Sequence, residues 1–147
     1  MKREEMYPNT AYFCFHNANP KNKFTSDCVI RAISTATKTE YNQVLRELVE
    51  LQCNLGYDIS DKKLFSKYLE QRGWKKQKQP RKKDNTKYTG KQFCKLISKK
   101  KEFPPYIIAN IGGHHIVAIV YGRIFDTWDS SEGCIGNYWI PKEFSIN

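Results

Sequence analysis

The chain has 147 residues, enough for one domain with a substantial core and too few for two ordinary ones. No apolar run approaches the roughly 20 residues that a membrane helix needs, and the N-terminal Met1 to Pro8 has no apolar stretch behind its charges, which argues against a secretory signal. The formal charge of +10 comes from one segment: residues 75–101 hold 12 Lys or Arg against Asp84 alone, a balance of +11, and everything else sums to −1.

Residues 1–24 read as irregular, with Pro8, Pro20 and several Asn around an aromatic cluster of Tyr12, Phe13 and Phe15. Ser26 or Asp27 caps a helix to about Thr37, whose Val29, Ile30, Ile33 and Ala36 form an inward stripe. Thr39 caps a second helix, with Tyr41, Val44, Leu45, Leu48, Val49 and Cys53 at three-and-four spacing and Gly56 at its end. Ser60 caps a third, with Leu64, Phe65, Tyr68 and Leu69 inward and Gly73 as its stop. Lys75 to Lys87 carries Pro80 and no apolar period, so it reads as a mobile basic loop. Thr89 then opens a short helix burying Phe93, Leu96 and Ile97; after Pro104 and Pro105, Tyr106 to Ile111 reads as a strand. His115 to Val120 and Arg123 to Trp128 form a hairpin about Tyr121-Gly122, and Tyr138-Trp139-Ile140 is a last strand. Helices first and antiparallel strands after them predict a single α+β domain over 1–147, N-terminal helices packed on a small antiparallel sheet.

Five scattered cysteines (Cys14, Cys28, Cys53, Cys94 and Cys134) are an odd number and no dense disulfide framework, which points to a reducing, cytoplasmic compartment. Zinc needs several convergent ligands, and only Cys14-Phe15-His16 approaches a ligand spacing, so neither a metal nor a cofactor is expected. Cys28 differs from the other four. It opens a capped helix, whose free N–H groups and dipole favour a thiolate over a thiol of ordinary pKa about 8.5. The bland alternative is a small core residue beside Val29.

A two-residue loop pairs Val120 with Arg123 and Val117 with Asp126, so that His115, Val117, Asp126 and Trp128 share a face. His115 and Asp126 become a diagonal pair within side-chain reach, an imidazole with a carboxylate to orient it. A loop of odd length would instead bring His114 to Asp126, and His114 opposite Asp129 is a further arrangement.

Asp27-Cys28-Val29-Ile30-Arg31-Ala32 and Gly113 through Asp129, together about a fifth of the chain, resemble the small papain-like cysteine peptidases of bacteria and their phages. In those, a short "DC–RA" helix start is followed by a "GH-VAV–G–D" hairpin. The resemblance implies a papain-like fold with Cys28 as nucleophile, His115 as general base and acid, and Asp126 as the orienting residue. It also implies an amide donor to the oxyanion a few residues before the cysteine, for which Asn22 is the candidate and Asn19 the fallback, beside the Cys28 backbone N–H. The Gly and Ser that flank the cysteine in true papains are missing. The Cys28-to-His115 separation of 87 residues falls short of the roughly 130–150 in papain itself, so a compact relative is implied.

The substrate expected is a protein or peptide, with Trp128 near the floor of the cleft and Lys82 and Lys83 drawing in an acidic one. Two other readings use the same residues. The basic segment 75–101 could serve a phage-type host-defence inhibitor or a nucleic-acid-binding protein on a catalytically idle scaffold, although only Trp74 and Tyr88 flank it for base stacking. Acyl transfer to an amine in place of water needs the same three side chains.

Overall fold

Six strands drawn from both ends of the chain join in one sheet in a computed structural model, which describes residues 1–144. In chain order the elements are α1 (Arg3–Met6), β1 (Phe13–Phe15), α2 (Cys28–Thr37), α3 (Tyr41–Leu55), α4 (Lys62–Gln71), β2 (Trp74–Gln77), α5 (Gly90–Lys99), β3 (Tyr106–Ile111), β4 (His115–Val120), β5 (Arg123–Asp126) and β6 (Ile135–Pro141). A short 3-10 turn, Lys142–Phe144, follows. Strand order is β1-β5-β4-β3-β6-β2. The class is α+β.

Alternation along the central strands divides the core between two faces. Ile108, Ile116, Ala118 and Trp139 pack with Val29, Ile33, Leu48, Phe65 and Leu69 of the helices α2, α3 and α4. Ile107, Val117, Ile119 and Ile124 pack with Phe13 of β1 and with Phe93, Cys94 and Ile97 of α5. A buried Leu, Ile or Phe contributes about 1.5–3 kcal/mol, far more than one residue's helix propensity. Packing against β4 therefore fixes where α2, and with it Cys28, sits.

The β4–β5 hairpin has the register its sequence implies: Val120 opposite Arg123, Ile119 opposite Ile124 and Ala118 opposite Phe125. Its two loop residues, Tyr121 and Gly122, are both left-handed, with φ of 48° and 75°, as a type I′ turn demands. Gly122 is also packed against α5, since a Cβ there would meet the Cys94 carbonyl oxygen at 3.1 Å and the Ser98 hydroxyl closer still.

Several expectations need correction. The sheet is not purely antiparallel: β1 runs parallel to β5, placing Phe13 to Phe15 beside Ile124 to Asp126. That strand and α1 lie in the stretch expected to be irregular, because three residues show no period and the pairing partner, as in Phe13 with Ile124, is far down the chain. The basic stretch is not a loop throughout. Trp74–Gln77 is an edge strand whose ends, Trp74 and Gln77, are buried and whose two lysines between them are more exposed, and Arg81 and Lys87 bridge a tight turn. Strand β5 stops at Asp126 rather than Trp128. Glu40 and Asp61, not Thr39 and Ser60, precede α3 and α4. On α3 only Val44 and Leu48 are buried; Val49 and Cys53 face solvent, since the helix packs on α2 and α4 rather than on the sheet.

Candidate active site

Three side chains from different parts of the sequence meet at one end of the sheet. Cys28 is the first residue of α2, His115 the first of β4 and Asp126 the last of β5. Gly112 and Gly113, both at positive φ, turn the chain from β3 into β4 just ahead of His115. The hairpin register, carried one step beyond Ala118–Phe125, sets Val117 against Asp126 and His115 diagonally across from it. His115 Nε2 lies 2.5 Å from Asp126 Oδ2, and the Cys28 thiol shares the wall of one cleft with the ring and interacts with it.

Asp126 is nearly sealed from solvent, its side chain 2% exposed, yet both oxygens are satisfied. Besides His115 on Oδ2, Oδ1 accepts from Arg31 Nη1 at 2.6 Å and from the Thr127 backbone N–H at 2.7 Å. Arg31 Nε donates to Asp27 Oδ1 at 2.8 Å. Tyr41 Oη and Asn19 Nδ2 donate to the other oxygen of Asp27 at 2.7 and 3.1 Å. Arg31 thus ties the residue before Cys28 to the carboxylate behind His115. Because Asp27 gives its carboxylate to this network, it caps no N–H of α2. The first-turn N–H groups beside the thiol have no intrahelical acceptor.

Titration behaviour follows from these contacts. Burial pushes the Cys28 thiol up, but the bond to His115, the Ile116 backbone N–H and the charges of His115 and Arg31 outweigh it and leave it below the usual thiol range. Burial likewise pulls His115 down, yet its bonds to Asp126 and Cys28 prevail and it is pushed up to about 9. Burial raises Asp126 while His115 and Arg31 lower it, for a net fall. The arrangement stabilises a thiolate–imidazolium pair backed by a carboxylate. Cys94 shows the contrary case: buried and facing the charge of Asp129, it is pushed up to about 12.

Cys28, Arg31, His115 and Trp128 line an open cleft of about 380 Å³ together with Arg3, Thr25, Ser26 and Ser60. The Trp128 ring lies 4.9 Å from that of His115 and covers the imidazole. Larger hollows exist elsewhere, one of about 540 Å³ between Ile97, Pro105 and Tyr121, and hold none of these groups.

Some predicted site residues fall elsewhere. Asn22 does not line the cleft; it is exposed in a left-handed turn, its amide oxygen accepting from Asn17. Asn19 is committed to Asp27. Lys82 and Lys83 belong to the tight turn closed by Arg81 and Lys87 and do not line the cleft, Lys82 lying near the Tyr88 ring instead. His114 is exposed in the β3–β4 loop, which leaves His115 as the histidine bonded to Asp126. Sequence reasoning assigned no part to Arg31, Tyr41 or Arg3. Arg31 had a signal, its i,i+4 spacing from Asp27 on a buried helix face; Tyr41 and Arg3 had none. No family model, no curated protein and no solved structure matches this chain.

Proposed function

We propose that the chain is a papain-like cysteine hydrolase, a peptidase or isopeptidase that cleaves a protein or peptide through a thiolate acyl-enzyme. The Cys28 sulfur attacks the carbonyl carbon, and the resulting oxyanion is received by the uncapped first-turn N–H of Cys28. His115, with Nε2 held by Asp126, gives its proton from the other ring nitrogen to the leaving amine as the C–N bond breaks. A water then attacks the thioester carbon and yields its proton to His115, and the acid departs as the thiolate re-forms. Asp126 remains ionised throughout, keeping the ring's orientation and supporting its charge. Arg31 positions Asp126. Trp128 shields the imidazole from water.

One observation carries this reading: a thiol at an uncapped helix start shares a cleft with an imidazole that is itself bonded to a buried carboxylate. The test is labelling by a peptidyl vinyl sulfone, located by mass spectrometry. Fast modification at Cys28 in the folded protein, lost in His115→Ala and on denaturation, is expected. Labelling no faster than that of the denatured chain overturns it.

The charge of the basic segment supports a second reading, docking of an acidic partner. None of the 12 cations in 75–101 enters a salt bridge among the described residues. Affinity for single- or double-stranded nucleic acid that falls steeply with salt would favour it; absent or salt-insensitive binding would remove it.

A further inference from the structure

The cleft beside Cys28 is lined by two guanidinium groups and an imidazole, and by no Asp or Glu. The charge of Arg31 is taken up by Asp27 and Asp126, and His115 lies between Asp126 and the thiol. Arg3 is different. Its Nε donates to the Thr127 carbonyl at 2.7 Å, one residue past Asp126. Its guanidinium carbon lies 5.1 Å from the Phe24 ring centroid and 5.7 Å from that of Tyr7. The group is therefore held by three contacts, all to uncharged partners, and Arg3 enters no salt bridge among the described residues. With Nε engaged, the two terminal nitrogens form the free end of the fork, which matches the two oxygens of a carboxylate.

We infer that Arg3 is a specificity residue that binds a substrate carboxylate close to the scissile acyl group, so the enzyme favours peptides carrying an acidic side chain or a free terminal carboxylate at that point. This rests on the hydrolase reading of the same cleft. The cost of ordering a long, charged side chain is already met in the free protein by the Phe24 and Tyr7 rings and the Thr127 carbonyl, which is the preorganisation that charge recognition needs. Nucleophilic attack and proton transfer do not require it.

The test compares alkylation of Cys28, in which the sulfur displaces chloride, by paired chloroacetyl reagents. N-chloroacetylglycine against its amide carries a terminal carboxylate; N-chloroacetyl-glutamate α-amide against the glutamine analogue carries a side-chain one. Within each protein the charged-over-neutral rate ratio cancels general changes in thiol reactivity, and comparing that ratio between proteins cancels the pull of the imidazolium that they share. For at least one pair, the wild-type ratio is expected to exceed that of Arg3→Gln by about tenfold or more, the size of a charge-assisted contact, and the responding pair names the carboxylate's source. Arg3→Lys, which keeps the charge without the fork, should fall between, and carries the comparison if Arg3→Gln fails to fold. Equal ratios in wild type and variants for both pairs would overturn the inference. Neutral reagents that modify folded Cys28 no faster than the denatured chain would overturn the hydrolase reading instead.

Discussion

Replacing Arg31 by Met removes a cation whose side chain is 9% exposed from between two carboxylates of 5% and 2% exposure. Deleting one partner of a buried ion pair costs about 3–5 kcal/mol. The low end applies here, because Asp126 keeps His115 and the Thr127 N–H, and Asp27 keeps Tyr41 and Asn19. For 147 residues the unfolding entropy is about 0.3 kcal/mol/K, so a loss of about 3 kcal/mol lowers Tm by about 10 °C. The loss depends on pH in a definite sense. Asp27 and Asp126 are both held below their ordinary value of 3.8, despite burial, by bonds that include those to Arg31. Their stabilisation is present above that value and disappears as pH falls through the depressed folded values. Without Arg31 the folded values rise, so the gap between wild type and Arg31→Met is widest near neutrality and closes in acid. Urea unfolding of both proteins at neutral pH and below the carboxylate range measures it. A neutral-pH loss within the roughly 0.5 kcal/mol of an ordinary surface change, or the same loss in acid, would refute the reasoning.

Asp126→Asn should drop His115 from about 9 toward its ordinary 6.5 and return the pH profile of Cys28 alkylation by iodoacetamide toward that of a simple thiol; an unchanged profile counts against Asp126 as the orienting group. The stabilisation from protonated His115 is complete below 6.5 and lost as pH rises through about 9, whereas that from the depressed Cys28 thiol grows over the same interval; the two offset in wild type, so a fall in Tm across that interval should emerge in Cys28→Ser and largely disappear when His115→Gln is added. Brief iodoacetamide treatment followed by peptide mapping should find Cys28 modified and Cys94, pushed up to about 12 and fully buried, untouched; the reverse order would contradict both assignments. Gly122→Ala, which forces a side chain into a left-handed turn and against the Cys94 carbonyl, should cost more than the roughly 1 kcal/mol of a simple Gly replacement, and equilibrium unfolding within experimental error of wild type would show that the turn is not so packed.

The parts of this protein that were legible in the sequence are those fixed by local rules. Helix α2 announced itself through a stripe of Val29, Ile30, Ile33 and Ala36, and the hairpin through Tyr121-Gly122 between alternating strands. From that loop length alone the parity of β4 and β5 selects His115 over His114 as the partner of Asp126. What stayed hidden depends on distant pairing. Strand β1 is defined by a neighbour near the other end of the chain, and β2 is a lysine-bearing strand that exists only because β6 offers an edge. Asn22 looked like a donor by its distance from Cys28 in sequence, but the turn at Asn22 sends its amide to Asn17. Arg3 reaches the site across 124 residues, a separation that no spacing rule covers.

The central claim is that Cys28 exists as a thiolate paired with protonated His115. The ultraviolet absorbance of thiolate, titrated in wild type and subtracted with Cys28→Ser, tests it without any substrate. The account predicts a difference signal that persists well below the ordinary thiol pKa of about 8.5 and is lost in His115→Gln. A difference signal that appears only in the ordinary range, with or without His115, would contradict it.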